Sequence, residues 1–178
     1  MTSPSRPGAV DPGEPDGAGD APDPQLPAGP SIWVDADACP AVLRDVLFRA
    51  AERTGTRLTM VANKSLRTPP SRFIRSLRVA RGFDAADDQI VAALSGGDLV
   101  VTGDVPLAAA ALKRGARVLD MRGNWVDDNR IGDRLSMRDL LSELRDLGQV
   151  SGGPAPLSQA DRQAFANRLD QFLTASRR

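Results

Sequence analysis

A short apolar run that stops on two aspartates, Ile32-Trp33-Val34-Asp35-Ala36-Asp37, constrains this chain more than any other feature. Pro40 follows, and Val42, Leu43, Val46, Leu47 and Ala50 then recur at helical spacing. The pattern reads as the carboxyl end of a buried strand running into a helix, because proline suits a first helical turn and apolar periodicity switches from strand to helix there. In open α/β sheets that edge is where ligands bind. Carboxylates at such a place are costly to bury unless a positive charge answers them, which requires either a bound cation or a neighbouring basic side chain.

The pattern repeats along the chain. Residues 57–62 (Arg-Leu-Thr-Met-Val-Ala) read as a second strand ending at Asn63, and Gly55 separates it from the first helix. After Pro69-Pro70, Ser71 can cap a helix whose apolar stripe is Phe73, Ile74 and Leu77. A further helix spans about 85–95, stopped by Gly96-Gly97. Asp98-Leu-Val-Val-Thr-Gly-Asp104 then repeats the opening theme before a helix at 105–114. Gly115 ends that helix and 116–120 form a strand. Residues 121–134 read as a polar loop with at most one short helix. Ser136–Asp139 and Ser158–Asp161 resemble capping boxes for helices 137–147 and 159–174, joined by Ser151-Gly-Gly-Pro154, a link expected to be mobile. This β-α-β-α-α-β-α-β order with short connections predicts a three-layer α/β domain, a mainly parallel sheet with helices on both faces.

Composition narrows the chemistry. Histidine is absent, which removes histidine bases and histidine metal ligands, and Cys39 is the single cysteine. An intramolecular disulfide is therefore impossible, and the expected compartment is reducing and cytoplasmic. At a helix start the Cys39 thiol has the setting for reactivity, but with no base or second thiol it reads as core filler. No apolar run is long enough for a membrane span. Residues 1–30 hold eight prolines, five glycines and a net charge of −4, and read as a disordered tail. Residues 31–178 form a single domain carrying +4.

Asp35 and Asp104 end strands that face one crevice if the sheet is parallel. A helix feeding the second of those strands starts near the same edge, so Asp84, Asp87 or Asp88 can join them. Asp87 and Asp88 also suit a helix N-terminus, and Asp37 can equally cap the first helix. Several carboxylates in one pocket raise one another's pKa unless a cation neutralises them, and hard oxygen donors without His or Cys favour Mg²⁺ or Mn²⁺. Between Glu52 and Asp84 there is no acidic residue, while eight basic ones occur. Arg72, Arg75 and Arg78 recur every three residues, along one exposed face of the helix expected there. Asn63, Lys64 and Arg67 follow the second strand. Such a surface suits a polyanion, so nucleic acid, RNA above DNA, is the expected partner.

The segments IWVDADACP, VAN.SLR.PPSRFIR.LRVA.GFD.AD..IV, GDLVVT.D.PLAA, S.RDLL..LR..G and LS..DRQAFA carry a resemblance over residues 31 to about 175. They resemble the YaiI/YqxD family of small bacterial proteins, itself similar in pattern to PIN-like domains, an α/β nuclease fold. The resemblance implies Mg²⁺- or Mn²⁺-dependent phosphodiester cleavage. Asp35 would be the first acidic residue, Asp87 or Asp88 the middle one and Asp104 the late one, with Thr102 steadying Asp104 or a water. Two other readings stand beside it. Asp35-Ala-Asp37-Ala-Cys39 resembles a haloacid-dehalogenase phosphatase signature, Asp35 as nucleophile and Asp37 as acid/base, but 105–112 lacks the later carboxylate that class needs. A non-catalytic RNA-binding or interaction module on the same scaffold is the third.

Overall fold

The structure, a computed structural model, describes residues 29–79, 85–149, 153 and 155–176. The expected tail up to residue 28, Arg81, Asp84 and most of the 150–154 link lie outside the described residues. Chain order is β1 (Ile32–Asp35), α1 (Ala41–Thr54), β2 (Leu58–Ala62), β3 (Ile74–Arg78), α2 (Ala85–Ala93), β4 (Leu99–Val101), α3 (Val105–Lys113), β5 (Arg117–Leu119), β6 (Trp125–Val126), α4 (Asp128–Asp146) and α5 (Gln159–Ala175).

The six strands form one sheet in the order β3-β2-β1-β4-β5-β6. All neighbours are parallel except β5 and β6. The chain therefore winds outward from β1 to β3, crosses back, and winds the other way from β4. That reversal places a topological switch point between the carboxyl ends of β1 and β4, where helices on opposite faces part and leave a crevice.

Strand side chains alternate between two apolar layers. Ile32 and Val34 of β1, Leu58 and Met60 of β2 and Leu99 and Val101 of β4 pack with Leu43 and Leu47 of α1 and Phe165, Leu169 and Phe172 of α5. Trp33, Val61, Val100 and Val118 pack instead with Ile90 of α2 and Leu107 and Ala111 of α3. The three-layer expectation is met, and the central strands β1, β2 and β4 are buried on both faces, as parallel strands under helices must be, while the edge strand β3 is largely exposed. At the opposite edge from the crevice, Asp98 is buried but satisfied. Its carboxylate accepts hydrogen bonds from Ser31 N–H (2.8 Å), Trp33 Nε1–H (3.1 Å) and Ser95 N–H (3.0 Å), which clamps the starts of β1 and β4 together.

Three expectations are corrected. The segment after Ser71 is the edge strand β3, hydrogen-bonded along β2 from Leu58↔Ile74 to Ala62↔Arg78, and not a helix. Phe73, Ile74 and Leu77 satisfy a helical spacing, but so short a run is also compatible with a strand, and pairing with β2 decides it. Residues 121–134 contain β6, too short to show periodicity. Helix α4 begins eight residues before Ser136, at Asp128: Asp127 is its N-cap, accepting from Arg130 N–H, and the helix runs through Gly132. By contrast α5 has the expected capping box, with Ser158 and Asp161 bonded reciprocally.

Candidate functional site

Asp35 closes β1 at the switch point and is only 9 % exposed. Thr102, just beyond β4, donates its hydroxyl to Asp35 Oδ2 at 3.3 Å and accepts the Asp104 N–H at 2.9 Å. One hydroxyl thus ties both strand-end aspartates into a single unit. Asp104 is the N-cap of α3, its Oδ1 accepting from Leu107 N–H at 2.8 Å. Its second oxygen accepts no hydrogen bond from a described residue.

No basic side chain forms an ion pair with Asp35 among the described residues. Burial pushes its carboxyl above the ordinary 3.8, and the nearby charges of Asp37 and Asp104 push it further, against the lowering effects of the Thr102 hydroxyl and the Ala38 backbone. A consequence can be measured on the metal-free protein. Because the folded state binds the Asp35 proton more tightly than the unfolded chain, the stability of the neutral carboxyl is fully present below pH 3.8 and is lost as pH rises through the raised folded value. Asp35→Asn, which keeps the neutral shape, is expected to be more stable than the parent at neutral pH by about 1 kcal/mol. The two melting curves should converge on acidification. A variant less stable than the parent at pH 7 would contradict this.

Asp37 does not cap α1: the N-cap position is Pro40, with no side-chain cap bond. Its Oδ2 accepts instead from Asn63 N–H at 2.7 Å, joining the loop after β1 to the end of β2. Asn63 brings its side-chain Oδ1 into a buried position without a hydrogen-bond partner. Asp87 and Asp88 lie in the first turn of α2. Among the described residues no group of three or more acidic or thiol side chains is close enough to hold a metal ion, so neither completes a three-carboxylate cluster with Asp35 and Asp104. Cys39 is the expected filler, buried in the α1 layer with its thiol pushed up to about 12 by burial.

The basic residues are rearranged by the β3 correction. On a strand, positions three apart point to opposite faces, so Arg75 and Arg78 do not share a surface. Arg75 turns toward the α2 layer, donating from Nε to Thr59 Oγ1 at 2.9 Å and lying over the Trp33 ring. Arg72 lies over the Phe73 ring just before the strand. The helical arginine stripe therefore does not exist. Lys64 and Arg67 are exposed on the loop that leaves the carboxyl end of β2.

Asp120, which sequence reasoning missed, ends β5 at the same edge. It accepts from Arg122 N–H and Asn124 N–H and pairs with Arg134 at 3.5 Å, so it is answered where Asp35 is not. The signal was present, since Val118-Leu119-Asp120 repeats the apolar-run-then-aspartate theme.

A family model described as "Uncharacterized BCR, YaiI/YqxD family" matches residues 33–175, from within β1 to the end of α5. The chain belongs to the YaiI/YqxD family. Among its relatives, a UPF0178 protein of Bordetella petrii is 58% identical over 147 residues, 83% of this chain and 98% of the relative. One of Cupriavidus pinatubonensis is 58% identical over 142 residues, 80% and 95% of the two chains. One of Syntrophotalea carbinolica is 57% identical over 143 residues, 80% and 97%. No solved structure matches the chain. Among the described residues, no helix is long and apolar enough to cross a membrane.

Proposed function

We propose that this YaiI/YqxD protein is a divalent-metal-dependent nuclease acting on RNA phosphodiester bonds at the β1–β4 crevice. The observation that carries the reading is Asp35: a buried carboxylate at the switch point, bridged to Asp104 through Thr102, with further carboxylate charge beside it and no cationic partner among the described residues. Mg²⁺ keeps several waters and is commonly held by one or two carboxylates together with substrate phosphates. Two strand-end carboxylates fit that donor set, and a three-carboxylate cage is not required. Asp35 and Asp104 would hold the ion, which when bound polarises a phosphoryl oxygen and acidifies a water.

The remaining roles fall to the chain itself. Thr102 fixes the angle between the two aspartates. Asp37 holds the Asn63 backbone and so anchors the loop that carries Lys64 and Arg67 where it leaves β2, and their charges would attract the phosphate backbone without reading sequence. Commitment of Asp37 to Asn63 also weighs against the phosphatase reading, which needs Asp37 as a mobile proton donor beside Asp35. The test is incubation of the purified protein with single- and double-stranded RNA in Mg²⁺, Mn²⁺ or chelator. Products formed with metal and absent with chelator support the nuclease. Salt-sensitive RNA binding without products under any condition would turn the reading to a binding module.

A further inference from the structure

Helix α4 separates its charges. At about 100° per residue, Arg134, Arg138 and Arg145 fall within roughly 40° of one another, while Asp139, Glu143 and Asp146 lie roughly 80–180° away from them. The basic side faces the body. Ile131, which packs against the α2–α3 layer, and the half-buried Leu141 lie about 80° apart, and the three arginines project between them. The direction of the helix decides what this side looks onto. It follows β6, whose Val126 lies opposite Val118 of β5, and Arg134 reaches Asp120, just past the end of β5. The axis therefore climbs toward the carboxyl edge of the sheet, and three more turns follow Arg134, roughly 18 Å. Beyond the edge there is no sheet for the basic side to cover, so Arg138 and Arg145 stay exposed although they point toward the body.

These charges are not used up by the fold. Arg145 forms no ion pair among the described residues, and Arg138 meets its exposed chain neighbour Asp139 at 3.0 Å, a surface contact worth little. Arg134 lies 3.5 Å from Asp120, whose carboxylate already accepts from Arg122 N–H, Asn124 N–H and Asn124 Nδ2. We propose that the overhanging turns of α4 are a wall that holds the phosphate backbone of RNA entering the β1–β4 crevice, Arg138 and Arg145 gripping it on the β5 side and Lys64 on the β2 side. In the strand order β2-β1-β4-β5 the crevice lies between these two groups. The ends of β2 and β5 stand three strand spacings apart, about 14 Å, so a backbone held at both passes over Asp35 and Asp104. An acidic peptide would suit the arginines but not the crevice, where two carboxylates repel it and, through a bound cation, attract phosphate. No aromatic side chain occurs on α4, so the wall holds backbone and reads no sequence. This placement deepens the nuclease reading and rests on it, but binding at the wall needs no turnover.

Fluorescence anisotropy of a labelled single-stranded RNA with the full chain in chelator, where metal-dependent cleavage is silent, tests it. Arg138→Gln/Arg145→Gln is expected to weaken binding about 10-fold at low salt and, by removing two phosphate contacts, to make the slope of log affinity against log salt shallower by about 1.4. Its circular dichroism spectrum should not change, both side chains being exposed. Lys113→Gln/Arg114→Gln removes the same charge from the exposed end of α3, at the opposite edge of the sheet, and is expected to stay within about 2-fold of the parent because screening acts over about 10 Å. Equal losses in the two double variants, no loss in the first, or no RNA binding by the parent overturns the proposal. Displacement by poly-glutamate as effective as by unlabelled RNA would assign the wall to an acidic polypeptide and also overturn it. Cleavage assays in Mg²⁺ or Mn²⁺ separate the two readings. RNA held through α4 without products keeps the wall and removes the nuclease, whereas products formed equally well by the parent and Arg138→Gln/Arg145→Gln keep the nuclease and overturn the wall.

Discussion

Asp35→Asn and Asp104→Asn are each expected to lower metal-dependent RNA cleavage by about 1,000-fold, the equivalent of roughly 4 kcal/mol of transition-state stabilisation, while leaving a folded protein. The two substitutions act at one place by different routes. Asparagine at 35 removes the negative charge in the buried centre and keeps a group that can accept from Thr102. At 104 it keeps an oxygen to accept from Leu107 N–H, so the α3 cap survives while the charge facing the crevice is lost. Loss of turnover with a melting temperature unchanged or raised separates a catalytic role from a structural one. Loss of both together would mean that the aspartates chiefly hold the fold.

The largest stability effect is expected in the turn after β5 and not at these carboxylates. Gly123, in the turn between β5 and β6, has φ +82°, and a β-carbon there would overlap the backbone of Ala164 and Phe165 in α5. Neither obstacle is a flexible side chain that can swing away. Gly123→Ala must push α5 off the sheet, and Phe165, fully buried at that contact, would move with it. The left-handed backbone adds strain for any residue with a β-carbon. A loss of about 3 kcal/mol or more is expected, read as a fall of roughly 10 °C in the melting temperature. An alanine variant within a degree or two of the parent would show that the α5 packing is looser than the structure has it.

The crevice was legible from the sequence because two independent apolar runs, 32–34 and 99–101, each stop within a few residues of an aspartate and are followed by helical spacing. Parallel pairing then brings both ends to one edge without further information. The hydroxyl that links them, Thr102, could be named but not placed, since its bonds to Asp35 and Asp104 depend on β1 and β4 being neighbours. The arginines were misread for a physical reason. Spacing of three lines up side chains on a helix and alternates them on a strand, so one wrong element turned a split pair, Arg75 and Arg78, into a stripe. Helix α4 was begun late because Gly132 and the polar run 127–134 look like a loop, while Asp127 caps a helix whose first turns gain support from α3 and Asp120. Two-residue β6 has no periodicity to detect.

The most direct measurement of the central claim, that the β1–β4 crevice holds a divalent cation through Asp35, is a Mn²⁺ titration of the purified chain followed by calorimetry or electron paramagnetic resonance, run beside Asp35→Asn. Saturable binding of Mn²⁺ by the parent, competed by Mg²⁺ and lost in the variant, is the predicted result. Equal binding by both proteins, or none by the parent, would contradict it.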